Sequence, residues 1–370
     1  MRVASNRASR RWAIVAAGTA LLCALPAAVA AWPVPAAALS AAQLRARIML
    51  SAGVPYQGYV ESNAALGLPS LPDVGDVTSL LDGSTDQYAW YRSPDQWRAD
   101  VLTTGGENDT YQAGVISMFE WDYGSDLLTQ VVGSQPARLP RPADLLPPEL
   151  ARRLASYAGP HARMSRLPGQ RVGGIDAAGL RLAPVSATSI ISAVDIWADP
   201  RTGLPLEVEI FSRDATAPVL VTRFLDVSLA RPSAAAVTPP PPDGATGYVV
   251  TGLPDVARIL HGYGPPLPAS LGGASEVAGV PGLPDIAAYG SGFGRFAVIP
   301  LPGRTGATVL QAATAAGTTI ELGSGTAVVI QTPLLTVLLA PTTFGPVYLL
   351  TGTVTATTLE RAALQLPGYS

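Results

Sequence analysis

The chain has 370 residues, 48% of them hydrophobic, and a formal net charge of −3 in which every basic residue is arginine. That composition fills real cores and excludes a disordered tail, while scattered arginines exclude the basic stripe that gathers nucleic-acid phosphates. With Cys23 as its only cysteine, the chain can form neither an intrachain disulfide nor a thiolate metal site.

Arg2, Arg7, Arg10 and Arg11 precede an uncharged apolar run from Trp12 to Trp32, the order of an export segment. Residues 1–35 therefore read as a signal peptide cut after an A-x-A site such as Ala28-Val29-Ala30, or as one N-terminal transmembrane anchor of roughly 20 residues. Either places the remainder outside the cytoplasm, in the cell envelope. Cys23 follows Leu22 rather than a small residue, so it reads as filler in that run.

Residues 36–232 form the next unit. "LSAAQLRARIMLSAG" is a short amphipathic helix, followed by strands at "PYQGYVES", "QYAWYRSPDQWRADVL" (a hairpin turning at "SPDQ"), "TYQAGVISMFEWD" and "LLTQVV". A helix is expected from about Pro148, with strands resuming at "GLRLAPV" and "LVTRFLDVSL". In "DIWADPRTGLPLEVEIF", Val194 and Ile196, then Leu206, Val208 and Ile210, alternate with acids around an Asp-Pro-Arg-Thr-Gly turn, which predicts a hairpin with one dry face. The proline run of residues 233–247 is a linker. Residues 248–370 then read as a small α+β domain ending in a helix "TTLERAALQL", with Thr357 and Glu360 at capping-box spacing. No charge occurs between Glu321 and Glu360, yet Pro333, Pro341, Gly345 and Pro346 break that stretch, so core strands are expected rather than a membrane span.

Catalytic signatures are thin. His161 and His261 stand alone, without zinc-ligand or triad spacing. "GSGFG" at Gly290 and "GSGT" at Gly323 read as turns, because no lysine is available to hold a phosphate. Asp195, Glu207 and Glu209 could cluster for glycoside chemistry, although acids on the wet face of a strand are common. Asn108-Asp109-Thr110 is a glycosylation sequon by pattern only. No catalytic residue, metal or cofactor is assigned. The aromatic supply is the unusual feature: Tyr88 and Trp90 alternate on one strand, Trp97 and Val101 share a face of the next, and Phe119 and Trp121 share a face of a third. They form either an ordinary core or a single apolar lining that admits a guest chain.

Taken together, "YQGYVES", "YRSPDQWRAD", "DTYQAG" with "FEWD", "RVGGIDAAGLRL" and "IWADPRTGLPLEVE" resemble the RseB/MucB family of extracytoplasmic stress regulators and, behind it, the LolA/LolB lipoprotein-carrier superfamily. The likeness covers about residues 40 to 230; in its composition and its "LGLPSLPDVGDVTSLLDG" loop the chain is more similar to actinobacterial members. The resemblance implies an α+β fold in which a half-open antiparallel β-barrel is covered by helices, with a smaller C-terminal α+β domain. It also implies a hydrophobic concave face for a lipid or lipoprotein acyl chain, with Val60, Trp90, Trp97, Val101, Phe119, Trp121, Val194, Ile196, Val208 and Ile210 as the expected lining. The partner it implies is a membrane-spanning anti-sigma factor. A lipid or lipoprotein carrier is the alternative function, and a hydrolase using the acidic cluster is a third.

Overall fold

Ser40 starts the first helix, α1 (Ala41–Leu50), through a capping box in which its hydroxyl accepts from Gln43 N and the Gln43 side chain accepts from Ser40 N. The computed structural model describes residues 34–67, 80–133, 140–159, 162–252, 265–277, 286–323, 325–343 and 345–369, together with residues 11, 12, 15, 16 and 19. The export run beyond those five positions, His161, His261 and most of the "LGLPSLPDVGDVTSLLDG" loop lie outside the described residues. Among the described residues no helix is long and apolar enough to cross a membrane.

A large sheet follows α1: β1 (Tyr56–Ala65), β2 (Asp82–Ser93), β3 (Gln96–Thr103), β4 (Gly106–Ala113), β5 (Ser117–Asp122), β6 (Leu127–Val132), β7 (Arg163–Val172), β8 (Ile175–Ala183), β9 (Ile191–Ala198), β10 (Pro205–Ser212), β11 (Leu220–Ser228) and β12 (Gly247–Gly252). Its order is β12-β6-β5-β4-β3-β2-β1-β11-β10-β9-β8-β7, so β1 pairs with β11 and joins two meanders into one unclosed sheet. The β7–β8 turn curls back to β11, where a Cβ on Gly173 would stand 2.8 Å from Val227 Cγ1. The half-open antiparallel barrel is thus present. Two details differ from expectation. Residues 110–122 are two strands rather than one, because Gly114, at φ +92°, turns the chain. The strand after the proline run, β12, runs parallel to β6 on the first sheet.

The α1 residues Leu44 and Ile48, and Ala151, Leu154 and Ala155 of α2 (Pro147–Tyr157), bury against Leu180, Leu182, Val194, Ile196, Val208, Ile210 and Leu220. The helices therefore cover only the β7–β11 half of one face. The "DPRTG" hairpin turns as expected. Asp199 accepts from Arg201 N and the Thr202 hydroxyl, and Gly203 at φ +77° sits so close to α1 that a Cβ would meet Arg47 O at 2.4 Å.

The second sheet contains β13 (Ser270–Leu271), β14 (Ala274–Val277), β15 (Ala287–Ser291), β16 (Gly294–Leu301), β17 (Thr318–Leu322), β18 (Gly325–Gln331), β19 (Thr336–Pro341) and β20 (Val347–Gly352), ordered β13-β14-β15-β16-β20-β19-β18-β17. Ala313 of α3 (Gly303–Ala316) packs on one face, and Leu359, Ala362 and Ala363 of α4 (Ala356–Ala363) pack on the other. Burial on both faces explains the uncharged run: β18, β19 and β20 are core strands. The last helix begins after Thr355, so Thr357 lies inside it rather than capping it.

Phe293 links the two sheets. It lies in the β15–β16 turn of the second sheet, yet it is 4% exposed and belongs to the core of α1, α2 and β8–β11. A Ser189–Val354 bridge and the bonds Ile190 N to Thr353 O and Thr355 N to Thr188 O reinforce the junction. Phe293→Ala is expected to cost about 3–5 kcal/mol in chemical denaturation, the range for a buried aromatic; a loss below about 1 kcal/mol would show that this side chain does not hold the sheets together.

Candidate functional site

The helices leave the β2–β6 half of the same face open, and a 3-10 turn at Pro142–Leu145 bridges it. Beneath that bridge is a cavity of about 490 Å³. Tyr56, Tyr91, Trp97, Met118, Val131 and Leu146 supply its apolar surface, and Gln112, Arg141, Asp144, Glu149 and Arg152 supply its polar edge. Tyr56 and Tyr91 stack at 5.0 Å and 7°, with Phe224 edge-on to Tyr56 at 5.5 Å. Tyr91 donates to Ala52 O at 2.6 Å, which fixes its ring, and burial pushes the Tyr56 phenol well above the usual tyrosine range. Arg152 donates through Nη2 to Glu149 at 2.9 Å, whereas its buried Nη1 has no acceptor. At the mouth, Val115 and Ile116 on the β4–β5 tip are 86% and 64% exposed.

No family model matches the chain, and no curated protein matches it. Its similarity is to solved structures. One is the Pseudomonas aeruginosa MucA/MucB complex, at 17% identity and a TM-score of 0.48, covering 89% of this chain and 99% of that one. MucB alone has 17% identity and a TM-score of 0.44, covering 88% and 96%. A LolA-superfamily protein from Nitrosomonas europaea has 11% identity and a TM-score of 0.26, covering 55% and 99%.

Trp97 alone of the ten residues expected to line a ligand site lies in the wall of this cavity. Val101 shares its face. Val194, Ile196, Val208 and Ile210 are buried beneath α1 and α2, and Val60 is fully buried in the adjoining cluster with Tyr56 and Tyr91. Trp90, Phe119 and Trp121 are on the opposite, convex face. For Trp90 the cause is a bulge: Ser93 pairs with Gln96 but Tyr91 pairs with Trp97, so Arg92 is the extra residue. A plain two-residue turn would have set Trp90 and Trp97 on one face; the bulge turns Trp90 outward and brings Tyr91 in. Tyr91 was missed for this reason, whereas Met118 and Val131, rather than Phe119 and Trp121, join Trp97 because of the turns between β3 and β6. Register follows from Tyr91↔Trp97, Trp97↔Gln112, Gln112↔Met118 and Met118↔Val131.

On the convex face Arg98 lies 5.0 Å from the ring centres of both Trp90 and Tyr111, and it bonds Asp100 at 2.6 Å and Asp109 at 2.8 Å. Tyr111, Trp121 and Leu128 form a small cluster against which Phe119 and Ala245 pack. The acids Asp195, Glu207 and Glu209 share the convex side of β9 and β10. Arg181 clasps both oxygens of Asp195, at 2.7 and 2.6 Å, and Gln170 donates to Glu207 at 2.8 Å. These bonds make Asp195 a structural ion-pair partner.

Burial pushes the Glu207 carboxyl up to about 7, with Glu209 adding to the rise and Arg223 opposing it. A carboxyl raised in the folded state stabilises below its unfolded value, near 4.5, and that contribution is lost as pH rises through about 7. Glu207→Gln stays neutral and can still accept from Gln170. Its melting temperature should exceed the wild-type value at pH 8, by the equivalent of about 1–3 kcal/mol, and match it below about pH 4; equal melting at both pH values would refute the assignment.

Proposed function

We propose that the protein is an extracytoplasmic, non-enzymatic sensor that holds an acyl chain of a lipid or lipoprotein in the cavity beneath the 3-10 bridge and acts on a membrane-spanning partner such as an anti-sigma factor. The cavity carries the reading: about 490 Å³ of concave space walled by six strands, with aromatic and aliphatic sides and a few convergent polar groups, fits the roughly 300–1,000 Å³ of ligand sites. The export segment supports the location, and the motifs from "YQGYVES" to "IWADPRTGLPLEVE" support the regulatory partner. The carrier alternative needs the first sheet to act by itself. Phe293 weighs against it, since the second sheet completes the core of the first.

Intact protein purified from a host with a cell envelope, examined by native mass spectrometry with organic extraction, should carry a reproducible acyl-lipid mass. Trp97→Glu should lose that mass and Trp90→Glu should keep it, because only Trp97 faces the cavity. A lipid-free mass that also refuses added fatty acid would overturn ligand binding, and capture of lipid with no single-span membrane protein in a pull-down would overturn regulation in favour of transport.

A further inference from the structure

Asp100 and Asp109 are directly opposed across β3 and β4, and they are 2% and 1% exposed. Like charges in that position repel, and both carboxylates share a single guanidinium, Arg98. Glu107 adds a third carboxylate 3.9 Å from the same guanidinium, and oxygens of the three acids lie within 4.8 Å of one another. Three negative charges against one positive charge leave the group two charges out of balance. Asp109 Oδ2 accepts from Arg98 and from the Tyr111 hydroxyl at 2.9 Å, but Asp109 Oδ1 is buried with no donor. A proton on Asp100 supplies that donor and removes one of the excess charges.

The connection from β11 to β12 crosses this same face. Arg92 donates to Pro232 O, and the 3-10 turn Ala235–Val237 packs on β2, β3 and β4 with Val237 buried. Ala245 rests on the cluster of Tyr111 and Trp121, the two residues that flank Asp109 on its own strand and on the next. The Thr246 hydroxyl and N–H both reach Asp126, after which the chain enters β12. The connection brings no cation, since Asp243 is its one charged side chain between residues 233 and 247. On β2, Tyr88 lies opposite Asp100 with Asp86 and Trp90 two residues to either side. Tyr123, just beyond β5, adds only a phenol.

We infer that Asp100 and Asp109 form a dyad holding one shared proton, and that loss of this proton loosens the seat of residues 233–247 on the convex face. The dyad thereby makes the hold of the first sheet on its β11–β12 connection responsive to the acidity outside the cytoplasm. Burial raises both carboxyls, Asp100 to about 7, with Arg98 opposing the rise and the neighbouring acids reinforcing it. In the seated state the proton is kept up to about that pH, and in the lifted, hydrated state it is released near 4. Seating is therefore favoured in acid, weakens as pH rises from about 4 to about 7, and is level above.

Hydrogen exchange on the intact protein tests this at the Thr246 and Gly247 amides, which bond to Asp126. After correction for the intrinsic pH dependence of exchange, their opening should increase about tenfold per pH unit between pH 5 and 7 and then level off. Asp100→Asn, a neutral shape mimic of the protonated acid, should flatten that profile at the protected level, and Asp109→Asn should at least flatten it. A wild-type profile that is flat over pH 5 to 8 would overturn the inference, as would an unchanged slope in both variants. Protection at pH 8 restored by calcium chloride in the wild type alone would overturn it too, by assigning the acids to a metal ion.

Discussion

Pairing of β1 with β11 is the constraint on which the rest of the molecule depends. It joins residues about 160 positions apart and turns two meanders into one sheet. Gly58 permits the approach, since a Cβ there would stand 2.3 Å from Asp226 O, and a bulge at Tyr59/Val60 bends the seam. Ser62 and Thr222 share a hydrogen bond of 2.8 Å across it, and Thr222 donates onward to Leu145 O at 2.7 Å. Leu145 ends the 3-10 bridge over the cavity, so the bond that holds the halves together also hangs the cavity roof. Closing so long a loop costs only slowly increasing entropy, but the contact must form before the roof has anything to rest on.

One extra residue at Arg92 then decides what each face of the sheet does. Side chains alternate along a strand, so shifting the β2–β3 register by one exchanges the residues on its two faces. With the bulge, Tyr91 and Trp97 face the cavity, while Trp90 faces outward and lies against Arg98. The aromatic supply of these strands is divided between an apolar pocket and a polar, charge-rich outer surface, and the connection from β11 to β12 lies across the latter.

Most of the strand architecture was legible in the sequence because one-sided burial imposes alternation. Val194, Ile196, Val208 and Ile210 announce their dry face, and Asp199 through Gly203 announce the turn between them. Their destination was not legible: dryness is the same whether a helix or a guest covers the face, and here α1 and α2 cover it. Bulges leave no mark in the hydrophobic pattern, which is why Trp90 and Trp97 seemed to share a wall. Gly114 was visible, but within "TYQAGVISMFEWD" alternation persists through it and masks the break. "GSGFG" reads correctly as a turn, yet nothing local indicates that Phe293 at its tip completes a core built by another part of the chain. Parallel pairing of β12 with β6 is equally silent, being a long-range match between two short apolar segments.

The helix α2 ties these observations together. Its first turns carry Glu149 and Arg152 into the cavity edge, its apolar side carries Ala151, Leu154 and Ala155 into the core, and its end brings Ala158 against the β15–β16 turn, where a Cβ on Gly292 would meet Ala158 O at 3.4 Å. Phe293, the next residue, shares that core with the helix. Close-packed cores do not absorb a shifted helix without rearranging its neighbours. A guest bulky enough to tilt α2 from the cavity side must therefore repack Phe293, and with it the hydrogen bonds of residues 188–190 to residues 353–355. The cavity and the junction are two ends of one rigid element. That packing joins the cavity edge to the second sheet through the interior, separate from the outer β11–β12 connection over Asp100 and Asp109.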